Sequence, residues 1–183
     1  MAVLLLVGLS ACSWLPIPYT IDLRAQLGSN ATGSASHEIE AGEAGDLDFR
    51  HPDGDGECID FSEVDIPVTV ESARLHFNTT VEYDGPRLTG TVAAQLYLSR
   101  DPERLWLPSN RVGPRVTVNL NHADTRLAGT AVLNREQIEG LNQQYLCWGL
   151  QIDGNNVTAT ESGEATIEYS VEELKLATRV SVI

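Results

Sequence analysis

The residues best suited to chemistry lie between His51 and Asp60, in the run His-Pro-Asp-Gly-Asp-Gly-Glu-Cys-Ile-Asp. Asp53, Asp55, Glu57 and Asp60 set carboxylates at near-alternate positions on a glycine-rich turn, and glycine lets a chain fold its oxygen ligands round one centre. That is calcium chemistry. The spacing departs from an EF-hand loop, which takes Gly at its sixth position and Glu at its twelfth; counted from Asp53, these are Cys58 and Val64. The competing reading is a plain solvated acidic turn. His37 and His51 flank the segment as a further candidate pair of metal ligands.

The segment is also the source of most of the charge. From Glu38 to Asp65 there are eleven acids against the single Arg50, in a chain whose formal net charge is -14. Such a surface is repelled by nucleic acid and by anionic headgroups, so no nucleic-acid partner is expected.

Catalytic constellations are missing. The chain has no Gly-x-Ser-x-Gly elbow, His-Glu-x-x-His helix, phosphate loop or dinucleotide fingerprint, and His37, His51, His76 and His122 are scattered. No nucleophile, base and orienting group can be named together, so the expectation is a protein that is not an enzyme. Trp106, in the turn-rich stretch Asp101 to Pro108, is the candidate contact for a ligand or partner, since an exposed indole stacks on sugars and anchors interfaces. Its alternative role is to cap one open end of the core with Leu105 and Leu107.

The elements that must position these residues are strands. Apolar residues recur with period two from Tyr19 to Leu27, from Leu75 to Tyr83, and from Leu88 to Leu98. Asp84-Gly85-Pro86 joins the last two runs and predicts a β-hairpin. Short strands follow at Val116–Leu120, Leu127–Leu133 and Tyr145–Ile152. The final stretch alternates through Ala165, Ile167, Tyr169 and Val171, then resumes out of phase at Leu174, Leu176, Thr178 and Val180. A phase slip at Glu172 and Glu173 implies a bulge or a bend between sheets. One short helix is expected after Asn134, which can form a capping box with Gln137. Gly28 to Ser36 reads as a flexible small-residue loop. Without a βαβ rhythm, the fold class is all-β, an antiparallel β-sandwich, with an open barrel as the alternative.

The N-terminus resembles that of bacterial lipoproteins. An apolar run from Ala2 ends in Leu9-Ser10-Ala11-Cys12, which is similar to the lipobox of that family. The resemblance implies a signal peptide over residues 1–11, lipid on Cys12, a short tether over 12–18, and one β-sandwich domain over 19–183. No Lys or Arg precedes Arg24, so the positive n-region of such a signal is expected upstream of Met1. The alternatives are an uncleaved apolar N-terminus, too short to span a bilayer at about 20 residues, and a buried first strand. Two or three acyl chains hold a protein on a membrane stably. The implied address is the cell envelope, and Ser13 in place of Asp after the cysteine goes with the outer membrane of two-membrane bacteria.

With Cys12 lipidated, Cys58 and Cys147 remain as an even pair in an oxidising compartment, which implies a disulfide. The alternative is two buried thiols. Tyr145, two residues before Cys147, resembles the tyrosine corner of immunoglobulin-like sandwiches, but the tryptophan expected soon after the first cysteine is absent. The functional expectation is a membrane-anchored, non-catalytic structural or protein-interaction module with an envelope protein partner. The alternative is a carbohydrate or small-ligand binding module, with calcium as its one candidate cofactor.

Overall fold

A computed structural model describes residues 17–42, 44–54, 57–60, 69–119, 124–143 and 145–181. Cys12 and the whole lipobox lie outside them, as do Asp55 and His122. In chain order the elements are β1 (Ile17–Asp22), α1 (Arg24–Leu27), β2 (Thr32–Ile39), β3 (Ala44–His51), β4 (Glu57–Asp60), β5 (Thr69–Asp84), β6 (Leu88–Ser99), β7 (Arg111–Val118), β8 (Thr125–Val132), α2 (Arg135–Asn142), β9 (Tyr145–Ala159) and β10 (Gly163–Ser181).

The strands form two antiparallel sheets packed as a sandwich. In the first, the order is β1-β10-β5-β8, with β2 also on β10; in the second it is β3-β9-β6-β7, with β4 also on β9. Alternation supplies the interior. Leu75, Phe77 and Val81 of β5 and Leu174 and Leu176 of β10 face Leu96 and Leu98 of β6 and Leu150 and Ile152 of β9, all buried. The expected phase slip is a bulge: Val171 pairs with Thr79 and Glu173 with Asn78, leaving Glu172 as the extra residue. It keeps Val171 and Leu174 both in the core although three positions separate them.

Among the described residues, one long side of the sandwich is closed and the other is not. Where β7 and β8 meet, Gly113 and Gly129 make room for the Phe77 ring. A Cβ on Gly113 would lie 2.5 Å from Phe77 Cζ, and its φ of +71° suits glycine. On the opposite side each sheet ends in an interrupted edge. β1 and β2 share one flank of β10, separated by residues 23–31, and β3 and β4 share one flank of β9, separated by residues 52–56.

Three expectations are corrected. The first strand stops at Asp22, and Leu23 to Leu27 turn into α1. Leu23 and Leu27, both buried, satisfy a four-residue spacing that suits a helical turn as well as a strand. β5 and β6 do not form a hairpin: β5 is paired on both flanks by β10 and β8, so the chain crosses to the other sheet, where β6 pairs with β7 and β9. Gly85 and a bond from Tyr83 Oη to the Pro86 carbonyl (2.5 Å) shape this crossing. Finally, Thr32 to Ser36 belong to β2 rather than to a loop. The helix α2 forms as expected, with Asn134 Oδ1 accepting from the Gln137 amide (3.0 Å) and Gln137 Oε1 from the Asn134 amide (2.8 Å).

Candidate functional site

Cys58 stands directly opposite Cys147, and the two are joined in a disulfide that closes 89 positions of chain. The bridge ties edge strand β4 to β9 within one sheet, so it differs from the inter-sheet disulfide of immunoglobulin domains. Tyr145 also departs from that pattern, being 41% exposed at the start of β9. Because side chains alternate, Cys147 lies on the outer face of the sheet while its neighbour Trp148 enters the core.

The acidic turn is an insertion into this edge. His51 pairs with Leu150 and Glu57 with Trp148, so the edge ladder is left after His51 and resumed at Glu57. Trp106 holds the insertion in place. Its Nε1 donates to the Gly54 carbonyl (2.8 Å), its ring meets Tyr97 edge-on at 5.4 Å, and the Arg50 guanidinium sits 5.5 Å from the ring centre. The preceding segment is set by Asp101, whose Oδ1 accepts from the Glu103 amide (3.1 Å), and it delivers Leu105 onto Tyr97 and Cys147. Trp106 therefore works as a half-buried strut over the disulfide, with its N–H and one ring edge engaged within the fold.

Beside it a chain of polar contacts crosses four strands. Arg111 Nε donates to Tyr97 Oη (3.2 Å), Tyr97 Oη to Gln151 Oε1 (2.8 Å) and Gln151 Nε2 to Asp48 Oδ1 (2.8 Å), and Asp48 pairs with Arg50 (2.9 Å). The bond to Tyr97 pushes the Arg111 pKa further up. Each group is matched to a neighbour, which makes a rigid face rather than a reactive one.

Two of the four candidate calcium ligands, Asp53 and Asp60, have described side chains. Asp53 is exposed in the turn that follows β3, and Asp60 is exposed at the end of β4, opposite Tyr145. Asp55 is outside the described residues. Among the described residues no three His, Cys, Asp or Glu side chains are grouped to hold a metal ion. His37 and His51 stay apart from one another in role: His37 is exposed on β2, while the His51 ring packs 4.8 Å from Tyr169 and 5.8 Å from Trp148. His76 Nδ1 shares a hydrogen bond with Thr130 Oγ1 (3.0 Å).

Two features escaped sequence reasoning. One is a carboxylate cluster at the β10 bulge, where Glu172 accepts from Asn78 (2.5 Å), Thr80 (2.9 Å) and Arg126 (3.2 Å). Bonds from Thr80 and Arg126 hold the Glu172 pKa below its ordinary value. The phase slip locates Glu172, but its partners come from strands about 50 and 90 positions away. The other is a cleft of about 390 Å³ between β2 and β3, floored by Tyr83, Leu88 and Ile167 and walled by Ile39, Leu47 and Phe49. Neither edge strand carries a strong alternation of apolar residues, so nothing in the sequence announces it.

No known protein family matches this chain, and no characterised protein does. Among solved structures it is similar to infectious bursal disease virus Gx strain, with 14% identity and a TM-score of 0.37 over 98% of this chain and 42% of that one. The chain thus spans about two fifths of the viral chain's length. It is also similar to the Triatoma virus empty capsid (14% identity, TM-score 0.34, 81% of this chain and 93% of that one). A third similar structure is a bacterial lipoprotein from Bacteroides thetaiotaomicron (11% identity, TM-score 0.28, 82% and 88%).

Proposed function

We propose that this domain is a lipid-anchored, non-catalytic interaction module of the cell envelope, attached through Cys12. The observation that carries the reading is the polarity of the sandwich along its strands. Ile17, the first residue of β1, pairs with Val180 near the end of β10, whereas Ile39 pairs with Gly163 at its start. These positions are roughly 50 Å apart at strand rise. At the end where the Cys12 tether would enter, Ile17 and Tyr19 are 51% and 42% exposed, and Arg74 and Arg179 flank a groove beside Pro18. Glu38, Glu40 and Asp46 cluster at the far end.

Magnitudes favour this orientation despite the net charge of -14. Charges are screened over about 8 Å at physiological salt, far less than the length of the domain, so headgroups meet the arginines and not the acidic end. Exposed aromatic and apolar residues suit the interfacial region. The acidic end then projects away from the membrane, where a protein partner can reach it, and nucleic acid is disfavoured.

Fractionation tests the reading. The wild-type chain should sediment with envelope membranes and the Cys12→Ser chain should be released; release of neither, or of both, counts against it. The carbohydrate reading loses support from Trp106, whose ring is engaged by Gly54, Tyr97 and Arg50. Calcium binding by the acidic insertion is a separate proposal, tested by metal-dependent melting.

A further inference from the structure

We infer that the cleft between β2 and β3 receives an extended segment of a partner protein, in which basic and apolar residues alternate, added as a new strand on the free edge of β2. The inference rests on the reading of the domain as an interaction module and names the chemistry of what it holds.

The first support is an unprotected edge. Among the described residues β2 pairs only with β10, in unbroken register from Thr32 to Ile39, so its outward N–H and C=O groups form a regular row. Proteins blunt such edges with charged side chains, proline or a bulge; the β2 sequence, Thr-Gly-Ser-Ala-Ser-His-Glu-Ile, has no lysine, proline or bulge and one carboxylate, Glu38. The facing edge, β3, is irregular between Gly45 and Leu47 and offers a poorer template.

The second support is the cleft beside that edge. On the inner row of β2, Gly33 and Ala35 are small and His37 lines the cleft, while Ile39, Leu47 and Phe49 are only partly buried against the core. An added strand would send every second side chain between the sheets, onto these residues. On the opposite side of the sandwich the Phe77 ring fills the space beside Gly113 and Gly129.

Charge selects the occupant. Glu38 and Glu40 form no ion pair among the described residues, and Asp46 accepts only from the Asn156 amide (3.3 Å). With these carboxylates on the rim, lysine or arginine alternating with apolar residues is matched, while an acidic segment is repelled. The cleft is also at the end remote from Ile17, open to a partner when the N-terminus is held at a membrane.

The test uses the Cys12→Ser chain in solution, so its outcome does not depend on anchoring. The probes are a fluorescein-labelled peptide of about ten residues alternating Lys and Val, matched to a typical strand, its Glu-Val counterpart, and Lys-Val peptides N-methylated at every second residue in either phase. Anisotropy at about 0.15 M salt should show saturable binding of Lys-Val and none of Glu-Val. One of the two N-methylated peptides, and the Glu38→Lys/Glu40→Lys chain at unchanged melting temperature, should each bind at least about tenfold more weakly. Hydrogen exchange should slow at residues 32–39 when the Lys-Val peptide binds. The inference is overturned by absence of saturable binding, by both N-methylated peptides binding like the parent, by full binding to the double variant, or by protection gained only elsewhere. Such a failure beside normal membrane fractionation removes the slot and leaves the anchored module standing.

Discussion

The Trp106 indole occupies the space that a side chain on Gly149 would need: a Cβ there would come within 2.5 Å of Trp106 Cη2 and 2.8 Å of Leu105 Cδ2. Gly149 is thus the floor on which the cover over the disulfide rests. Gly149→Ala should destabilise the domain by about 1–3 kcal/mol through overpacking. Trp106→Phe, which keeps a ring but loses the bond to the Gly54 carbonyl, should cost about 1–2 kcal/mol. Denaturant midpoints at constant slope check both, and a midpoint unchanged in Gly149→Ala would show that the indole is free to move aside.

Removing the bridge should cost more. Closing 89 positions of chain withdraws denatured-state entropy worth about 4–5 kcal/mol by loop closure. Cys58→Ala/Cys147→Ala, or reduction, should therefore lower the melting temperature by more than either substitution above. Non-reducing peptide mapping should recover the two segments linked.

The strands that were legible in sequence are those with long runs of recurring apolar residues. β5, β6, β8, β9 and β10 all show them, and even the bulge at Glu172 is written as a slip between Val171 and Leu174. What sequence conceals is pairing. The Asp84-Gly85-Pro86 turn looks the same whether the next strand stays in the sheet or crosses, and only the occupation of both β5 flanks decides it. Edge strands β2, β3 and β4 were hidden because one flank faces solvent and tolerates Ser, Gly, Asp and Glu. The acidic segment is strand up to His51 and again from Glu57 to Asp60. The Cys58–Cys147 pairing was legible once Cys12 was set aside, but the role of Trp106 depends on Gly54 and Gly149, some 50 and 40 positions away.

Glu172 should titrate below the ordinary glutamate value of 4.5, because Thr80 and Arg126 hydrogen-bond its charged form. A depressed folded-state pKa contributes stability that is present above the unfolded value and is lost as pH falls through the folded one. The group is solvent-exposed, so its effect is small and is best read directly. Carbon-detected NMR titration should show its midpoint below those of unpaired glutamates, and Arg126→Ala should raise it. A midpoint unmoved by Arg126→Ala would mean the pair is not formed in solution.

Asn134→Ala removes the capping box of α2 and a bond from Asn134 Nδ2 to the Ser109 carbonyl (3.2 Å). It should destabilise by about 1 kcal/mol. Asn134→Ser, which restores a cap but not the second bond, should recover most of that loss in the same denaturant titration.

Calcium and salt separate the two roles of the acidic insertion. If the segment is a solvated acidic turn, calcium at matched ionic strength raises the melting temperature no more than magnesium does. A saturable shift specific to calcium would instead establish a cation site.

The most direct measurement is the mass of the mature N-terminus. Protein purified from envelope membranes should yield an N-terminal peptide beginning at Cys12 and carrying the added mass of two or three acyl chains, absent from the Cys12→Ser chain. An N-terminal peptide in which Cys12 is unmodified, or which still carries residues 1–11, contradicts a lipid-anchored envelope module.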